Sequence, residues 1–293
     1  MSAALRVQLL GPLQVERDGQ PVALGGRAQR ALLARLLLEP GRTVPVSRLV
    51  DDLWGETAPA SASKMIQIYV SMLRKVLPEG VLVTRSPGYA VELSREAIDL
   101  SRFEDLRQAG HAALAAGSPA HALEQLREAL ALWHGAALAE FEEPFATIES
   151  NRLEEMHLAT VEDRVEAELR LGRHGALVAE LHALVARHPL RERLRGQLML
   201  ALYGSGRQAD ALAEYHRVRD VLLESLGIDP SPSLRELERR ILQQDPTLVP
   251  APSVGRPRLH AVGPERAVRQ GIVRWSSPCT SPHLPVRRLR IAA

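Results

Sequence analysis

Residues 60–93 read ASASKMIQIYVSMLRKVLPEGVLVTRSPGYAVEL, and this stretch decides the fold of the N-terminal part of the chain. Its first half predicts a helix over residues 60–77, because apolar side chains recur there at helical spacing. Four of these side chains form a stripe that we assign to the core: Ile66, Val70, Leu73 and Leu77. The second half predicts two short apolar strands, over 81–84 and 90–93, joined by the five residues 85–89. A helix followed by such a hairpin suits DNA, because the helix fits the major groove and the hairpin reaches along the backbone.

The opposite face of the predicted helix carries the candidate DNA contacts. With each residue advancing about 100° around the axis, this face and its flanks present Lys64, Gln67, Ile68, Ser71, Met72, Arg74 and Lys75. Cations can neutralise phosphates, amide and hydroxyl groups can bond base edges, and apolar side chains can contact a thymine methyl group. A solvated charged face is the alternative, but such a face has little reason to expose Ile68 and Met72.

Charge is divided unevenly along the chain, although the formal net charge is only +2. Residues 1–93 hold 11 basic and 8 acidic side chains, residues 94–245 hold 18 and 26, and residues 246–293 hold 8 and 1. This division favours nucleic acid as a partner of the N-terminal part and not of the middle. Of the 37 basic residues only Lys64 and Lys75 are lysines, and both lie on the predicted helix.

The sequence lacks the signatures of several protein classes. The single cysteine, Cys279, excludes a disulfide framework and a cysteine-based metal site. No histidine pair has the spacing of a zinc protease, and no Walker phosphate-binding sequence is present. No apolar run approaches the ~18 residues of a membrane span, and the first residues do not form a secretory signal. We therefore expect a cytoplasmic protein that is not an enzyme and holds no cofactor or metal.

The residues before the deciding stretch predict a small mixed domain. Three strands are expected, over residues 5–10, 13–17 and 21–24, with a hairpin turn at Asp18-Gly19. A helix is expected over 28–39, ended by Pro40-Gly41, and a short second helix is expected to be N-capped by Ser47.

This order of three strands, three helices and a hairpin resembles the OmpR-type winged helix, and more narrowly the Streptomyces antibiotic regulatory protein family. The matching residues are LGPLQV (10–15), 30–33, Pro40-Gly41, 49–55, 70–74, Thr84-Arg85 and Gly88-Tyr89. The resemblance implies that helix 60–77 is the recognition helix, with DNA contacts at Lys64, Tyr69, Ser71, Met72 and Arg74. It also implies that Arg85 enters the minor groove and that Tyr89 anchors the wing in the core. Met72 departs from the family, in which a cation is frequent at this position.

The middle of the chain predicts stacked pairs of helices. Three similar joints begin at Gly117, Gly172 and Gly206, of which the last two are 34 residues apart and the first two are 55 apart. The shorter distance is the tetratricopeptide period, and the longer one indicates an insertion of about 21 residues around 140–150. Such repeats bind proteins or peptides far more often than they catalyse.

Local signatures in this part resemble the bacterial transcriptional activator domain of the same family. They are ALALWHG (129–135), HPLRERL (188–194), LMLALY (198–203) and LGIDP (226–230). The resemblance implies a pathway-specific activator of a secondary-metabolite gene cluster, commonly an antibiotic one. Such an activator would bind direct repeats in double-stranded promoter DNA as a homodimer, recruit RNA polymerase through its sigma factor, and act on the nucleoid.

The expected architecture is mostly α. We predict an OmpR-type α+β winged helix-turn-helix over residues 1–95 and an all-α tetratricopeptide-like domain over 96–246. A disordered tail rich in Pro and Arg is predicted over 247–293. Two alternative functions stay open, a helical-repeat scaffold that contacts only proteins and a regulator that senses a small-molecule effector.

Overall fold

The computed structural model describes residues 5–249 and begins with a three-stranded antiparallel sheet. Its strands, in spatial order, are β1 (Leu5–Gln8), β2 (Gln14–Arg17) and β3 (Gln20–Pro21). The predicted hairpin turn is present, with positive φ at Asp18 and Gly19. The predicted strand 21–24 is wrong, because only two residues of β3 pair with β2. The chain then leaves the sheet so that Leu24 enters the core, and Gly25 turns it with φ +85°.

Three helices complete the helix-turn-helix. They are α1 (Arg27–Leu37), α2 (Val46–Trp54) and α3 (Ala62–Val76). Ser47 does not cap α2, because the helix already begins one residue earlier, after Pro45. Helix α3 starts later than predicted, because Ala62 N donates to the Pro59 carbonyl and closes a turn there. The predicted core stripe is confirmed, since all four of its side chains are buried.

The wing is a three-stranded sheet and not the predicted two-stranded hairpin. Its strands are β4 (Val44–Pro45), β5 (Leu82–Arg85) and β6 (Gly88–Val91), in the spatial order β4-β6-β5. The predicted five-residue connection is wrong, because Arg85 and Gly88 still pair and leave a turn of two residues. Gly88 is required for a steric reason: a Cβ atom there would lie 1.9 Å from the Val44 carbonyl oxygen. Only glycine lets β4 approach β6 at this point.

Seven α-helices follow the wing within residues 5–249. They are α4 (Asp99–Ala115), α5 (Pro119–Ala131), α6 (Pro144–Arg170), α7 (His174–Arg187), α8 (Glu192–Gly204), α9 (Gln208–Leu226) and α10 (Pro232–Leu242). The three joints fall between successive helices as predicted, and Gly117, Gly172 and Gly206 adopt φ values of +72°, +77° and +78°. Glycine reaches this left-handed region without steric cost. The mostly α fold class is confirmed. The predicted tail lies almost wholly outside the described residues.

Two general features concern residues 5–249 as a whole. None of their helices has both the length and the apolar character needed to cross a membrane. No group of three or more His, Cys, Asp and Glu side chains in this range is arranged to hold a metal ion.

One hydrophobic core joins the winged helix to the helices that follow it. The core of β1, α1 and α3 continues into Ile98, Leu100 and Phe103, which are all buried. It also includes Leu138 and Phe141, from the segment that connects α5 to α6. A separate core is formed by side chains of the five helices α6 to α10. The winged helix therefore shares its apolar interior with the first part of the helical region.

A buried carboxylate at the start of α4 holds the end of β1. The Asp99 oxygens accept hydrogen bonds from Leu9 N at 2.8 Å, Leu10 N at 3.0 Å and Leu100 N at 2.7 Å. Burial raises the pKa of Asp99, and the three N–H donors oppose that shift. Because these donors are backbone groups, the carboxylate fixes α4 against the main chain of the winged helix.

The segment 132–143, which we call the strap, makes a second polar connection. The Glu140 carboxylate accepts from Arg30 Nε and Nη2, both at 2.8 Å, and from Leu13 N at 2.6 Å. Arg30 Nη2 also donates to the Leu13 carbonyl at 2.8 Å. The strap and the 27-residue length of α6 account for the extra residues between the first two joints. The predicted insertion thus packs on the winged helix.

Candidate nucleic-acid interface

The outward face of α3 collects most of the predicted contact residues. Seven of the nine are exposed on this helix: Lys64, Gln67, Ile68, Ser71, Met72, Arg74 and Lys75. Ile68 and Met72 are 44% and 45% exposed, as the helical spacing predicted. Exposed apolar side chains that lie among polar ones mark a surface that can meet a partner.

Four polar side chains of this face are available to a partner. Within residues 5–249, no hydrogen bond or ion pair engages the side chains of Lys64, Gln67, Ser71 and Lys75. The two lysines stand about 16 Å apart along the helix axis, from a rise of about 1.5 Å per residue. The major groove is about 12 Å wide, so two ammonium groups at this separation can face phosphates on its two sides.

Arg74 differs from the lysines because its guanidinium is bonded within the winged helix. Its Nε donates to the Leu82 carbonyl at 2.9 Å, and its Nη2 donates to the Thr84 hydroxyl at 2.8 Å. Both acceptors belong to β5, the edge strand of the wing sheet. Arg74 therefore connects the last turn of α3 to the wing.

Arg85 ends β5 beside the wing turn. Its Nη2 lies 3.0 Å from Glu92 Oε1, and its Nη1 donates to the Gly41 carbonyl at 3.2 Å. The Arg85 side chain is 50% exposed. It is folded back along the wing, so that reaching into a groove requires it to leave Glu92.

The two tyrosines singled out from the sequence have different surroundings. Tyr69 is half-buried and packs against the core, which leaves only part of its ring for a partner. Tyr89 is 8% exposed and lies in the core, opposite Val44 in the wing sheet. Its expected role as the anchor of the wing agrees with this position.

Two contacts that the sequence patterns did not predict join α3 to other parts of the winged helix. The Gln29 amide nitrogen contacts the Met72 sulfur, while the Gln29 carbonyl accepts from Gly26 N at 2.9 Å. Arg17, in β2, donates to the Val76 carbonyl at the end of α3. Helical periodicity carries no signal for either contact, because the partners are 43 and 59 residues apart in the chain.

Two family models match the chain in tandem. Residues 19–91 match the model described as "Transcriptional regulatory protein, C terminal". Residues 98–242 match the "Bacterial transcriptional activator domain". The first range contains α3 and the wing, and the second runs from the start of α4 to the end of α10.

Known regulators resemble the chain over more than four-fifths of its length. Regulatory protein AfsR of Streptomyces coelicolor is 51% identical over 248 residues, which cover 84% of this chain and 25% of AfsR. The chain thus spans about a quarter of the length of AfsR. Regulatory protein DnrI of Streptomyces peucetius is 37% identical over 254 residues, which cover 83% of this chain and 93% of DnrI.

A solved structure has the same fold. It is that of Mycobacterium tuberculosis EmbR in complex with a low-affinity phosphopeptide, at 41% sequence identity and a TM-score of 0.79. The match covers 83% of this chain and 66% of the EmbR chain. With DnrI matched over nearly its whole length and both family models present in tandem, the resemblance predicted from the motifs is confirmed. The chain belongs to the Streptomyces antibiotic regulatory protein family of transcriptional regulators.

Proposed function

We propose that this protein is a sequence-specific DNA-binding transcription activator whose helix α3 enters the major groove. The observation that carries the proposal is the outward face of α3. There, Lys64 and Lys75 have no partner among the described residues and flank the exposed Ile68 and Met72. Cations at both ends of the helix suit the phosphates beside the groove, and apolar side chains between them suit thymine methyl groups.

Polar side chains on the same face supply base recognition in this proposal. Gln67 has the geometry to bond an adenine edge through both its amide atoms, and the Ser71 hydroxyl can donate or accept. Arg74 and the exposed part of Tyr69 lie on the flanks of the face. Arg85, in the wing, enters the adjacent minor groove after it leaves Glu92.

We assign protein contacts to the helical domain over residues 96–246. Stacked helix pairs suit protein partners, and the 26 acidic against 18 basic side chains of residues 94–245 disfavour phosphate. One winged helix buries an interface of only roughly 600–1,000 Å² on DNA. A homodimer would place two winged helices on direct repeats one helical turn apart. The two together would supply the specificity that one such interface lacks. The helical domain would also present the complex to the sigma factor of RNA polymerase.

The family resemblance extends the proposal to the regulated genes. The protein would activate a secondary-metabolite gene cluster, such as one for an antibiotic, and would act on the nucleoid in the cytoplasm. The relatives AfsR and DnrI, both named as regulatory proteins in Streptomyces, support this assignment.

Genomic footprinting in the organism of origin tests the proposal. We expect the protein to occupy promoters that carry direct repeats within a secondary-metabolite cluster. The double variant Lys64→Gln, Ile68→Ser should lose these sites, because it removes a phosphate contact and an apolar base contact. Arg239→Gln is the matched control, since Arg239 is an exposed arginine on α10 that pairs with Glu236.

The spacing of the repeats tests the dimer. Moving the repeats apart by about five base pairs places them on opposite faces of the duplex and should abolish the advantage of two sites over one. Occupancy that persists in the α3 double variant, or binding that ignores the spacing, would contradict the proposal.

A further inference from the structure

We propose that Arg74 serves DNA binding as a positioning residue that holds the wing at a fixed angle to the recognition helix, whereas its neighbour Lys75 meets phosphate. This inference rests on the proposed DNA-binding function of α3 and separates the roles of two adjacent cations. Charge alone does not distinguish Arg74 from Lys75, since both are exposed cations in the last turn of one helix. Their contacts do.

The Arg74 guanidinium is committed to the edge of the wing. Its two bonds go to one strand, to the main-chain carbonyl of Leu82 and the side-chain hydroxyl of Thr84. Because β5 is an edge strand, its outward carbonyl groups have no neighbouring strand to bond. Arg74 therefore replaces a missing sheet partner and fixes the wing through two donors in a rigid plane.

Lysine would hold this geometry less precisely. Its ammonium is a compact, strongly hydrated charge on a flexible stem, while the planar arginine fork bonds two separate acceptors in a defined orientation. Lys75 lies one residue further along α3, and its ammonium has no partner within residues 5–249. The chain thus has arginine where two acceptors must be bridged and lysine where a solvated charge suffices.

The consequence for DNA binding concerns the wing cation. Arg85 is the last residue of the strand that Arg74 holds. The angle between α3 and β5 decides whether Arg85 reaches the minor groove while α3 lies in the major groove. Arg74 thereby couples the position of α3 in the major groove to the position of Arg85 in the minor groove, without itself contacting DNA.

Exchange of Arg74 for lysine in the full chain, with the same exchange at Arg239 as the control, tests this assignment. The DNA is a duplex of about 30 base pairs, selected from a random library by the unmodified chain, and its affinity is measured by fluorescence anisotropy over a range of salt concentrations. We expect Arg74→Lys to weaken binding by about tenfold although the charge is kept. Arg239→Lys, the same exchange at an exposed arginine of α10 that pairs with Glu236, should leave affinity near that of the unmodified chain. Lys75→Gln should lower the salt slope by about 0.9, as expected for one lost phosphate contact.

A variant without any change of charge tests the hydrogen bond between Arg74 and the wing. Thr84→Val removes one acceptor of Arg74, so it should reproduce part of the loss, and its effect should not add to that of Arg74→Lys. Protection of guanine N7 in the major groove should persist in both variants, while hydroxyl-radical protection of the minor groove beside the wing is lost. A purely destabilising change would weaken both protections together, and thermal melting checks that the variants fold.

The possible results separate the two proposals. If Arg74→Lys keeps full affinity and Thr84→Val has no effect, Arg74 acts as a charge on DNA and the positioning role is wrong. If Lys64→Gln and Lys75→Gln both leave the salt slope unchanged, the outward face of α3 does not meet phosphate. In that case the proposed DNA interface fails, and with it the role assigned here to Lys75.

Discussion

The connection between the strap and the winged helix allows a quantitative prediction about stability. In the network of Glu140, Arg30 and Leu13, each charged side chain bonds the other and also a main-chain group of Leu13. An exposed ion pair contributes about 0–1 kcal/mol, whereas removing one partner of a buried pair costs about 3–5 kcal/mol. The side chains of Arg30 and Glu140 are 27% and 29% exposed, which places this pair between those limits.

Glu140→Ala removes the carboxylate and leaves Leu13 N without its acceptor. Loss of an acceptor from a buried donor costs about 1–3 kcal/mol, and the partly solvated ion pair adds less than a buried one. We therefore expect the free energy of unfolding to fall by about 2 kcal/mol, which corresponds to a decrease in Tm of about 4–8 °C for a protein of this size.

A double-mutant cycle measures the pair directly. Arg30→Ala, Glu140→Ala and the double variant are unfolded in urea and followed by circular dichroism. We expect a coupling energy of about 1–2 kcal/mol, because each single change already breaks the same network. Arg27 and Glu142 provide the control, since they join α1 to the strap as well but are 48% and 84% exposed. Their cycle should give no measurable coupling. Additive losses at Arg30 and Glu140, or equal coupling in both cycles, would refute the reasoning.

Two further predictions concern pH and DNA affinity. Burial lowers the pKa of His157 and of His174 from 6.5, so the unfolded chain binds protons that the folded chain does not. The free energy of unfolding should therefore fall as pH drops through 6.5 toward the folded-state values, and replacing both histidines with Gln should weaken this dependence in urea titrations at several pH values. Separately, Glu92→Gln removes the partner of Arg85 and should raise affinity for the selected duplex by up to about fivefold, as expected for an exposed ion pair. Unchanged affinity would mean that Arg85 does not leave Glu92 when DNA binds.

The outward face of α3 could be predicted because one helix fixes it. Once Ile66, Val70 and Leu73 are assigned to the core, the helical period determines which residues point away from it. The joints at Gly117, Gly172 and Gly206 could be predicted equally well, because each is a local signal repeated along the chain. Local periodicity was therefore sufficient to predict both the outward face of α3 and the helical repeat.

The parts that could not be predicted depend on partners far apart in the chain. The short strand Val44–Pro45 gives no periodic signal, and its pairing with β6 is what requires Gly88. The bonds of Asp99 to Leu9 and of Glu140 to Leu13 span 90 and 127 residues. A carboxylate gives no indication in the sequence of which distant backbone amide it will accept from.

The interior shared by the winged helix and the helical region determines where the chain can be recombined. A chimera cut at residue 95 would separate the donors at Leu9 and Leu10 from Asp99, and would expose the apolar surface that Phe103 covers. The smallest portion that can be grafted onto another regulator with its own contacts intact must continue through the strap into α6. Under the proposed function, a new operator specificity would be engineered within this scaffold by exchanging only the side chains on the outward face of α3.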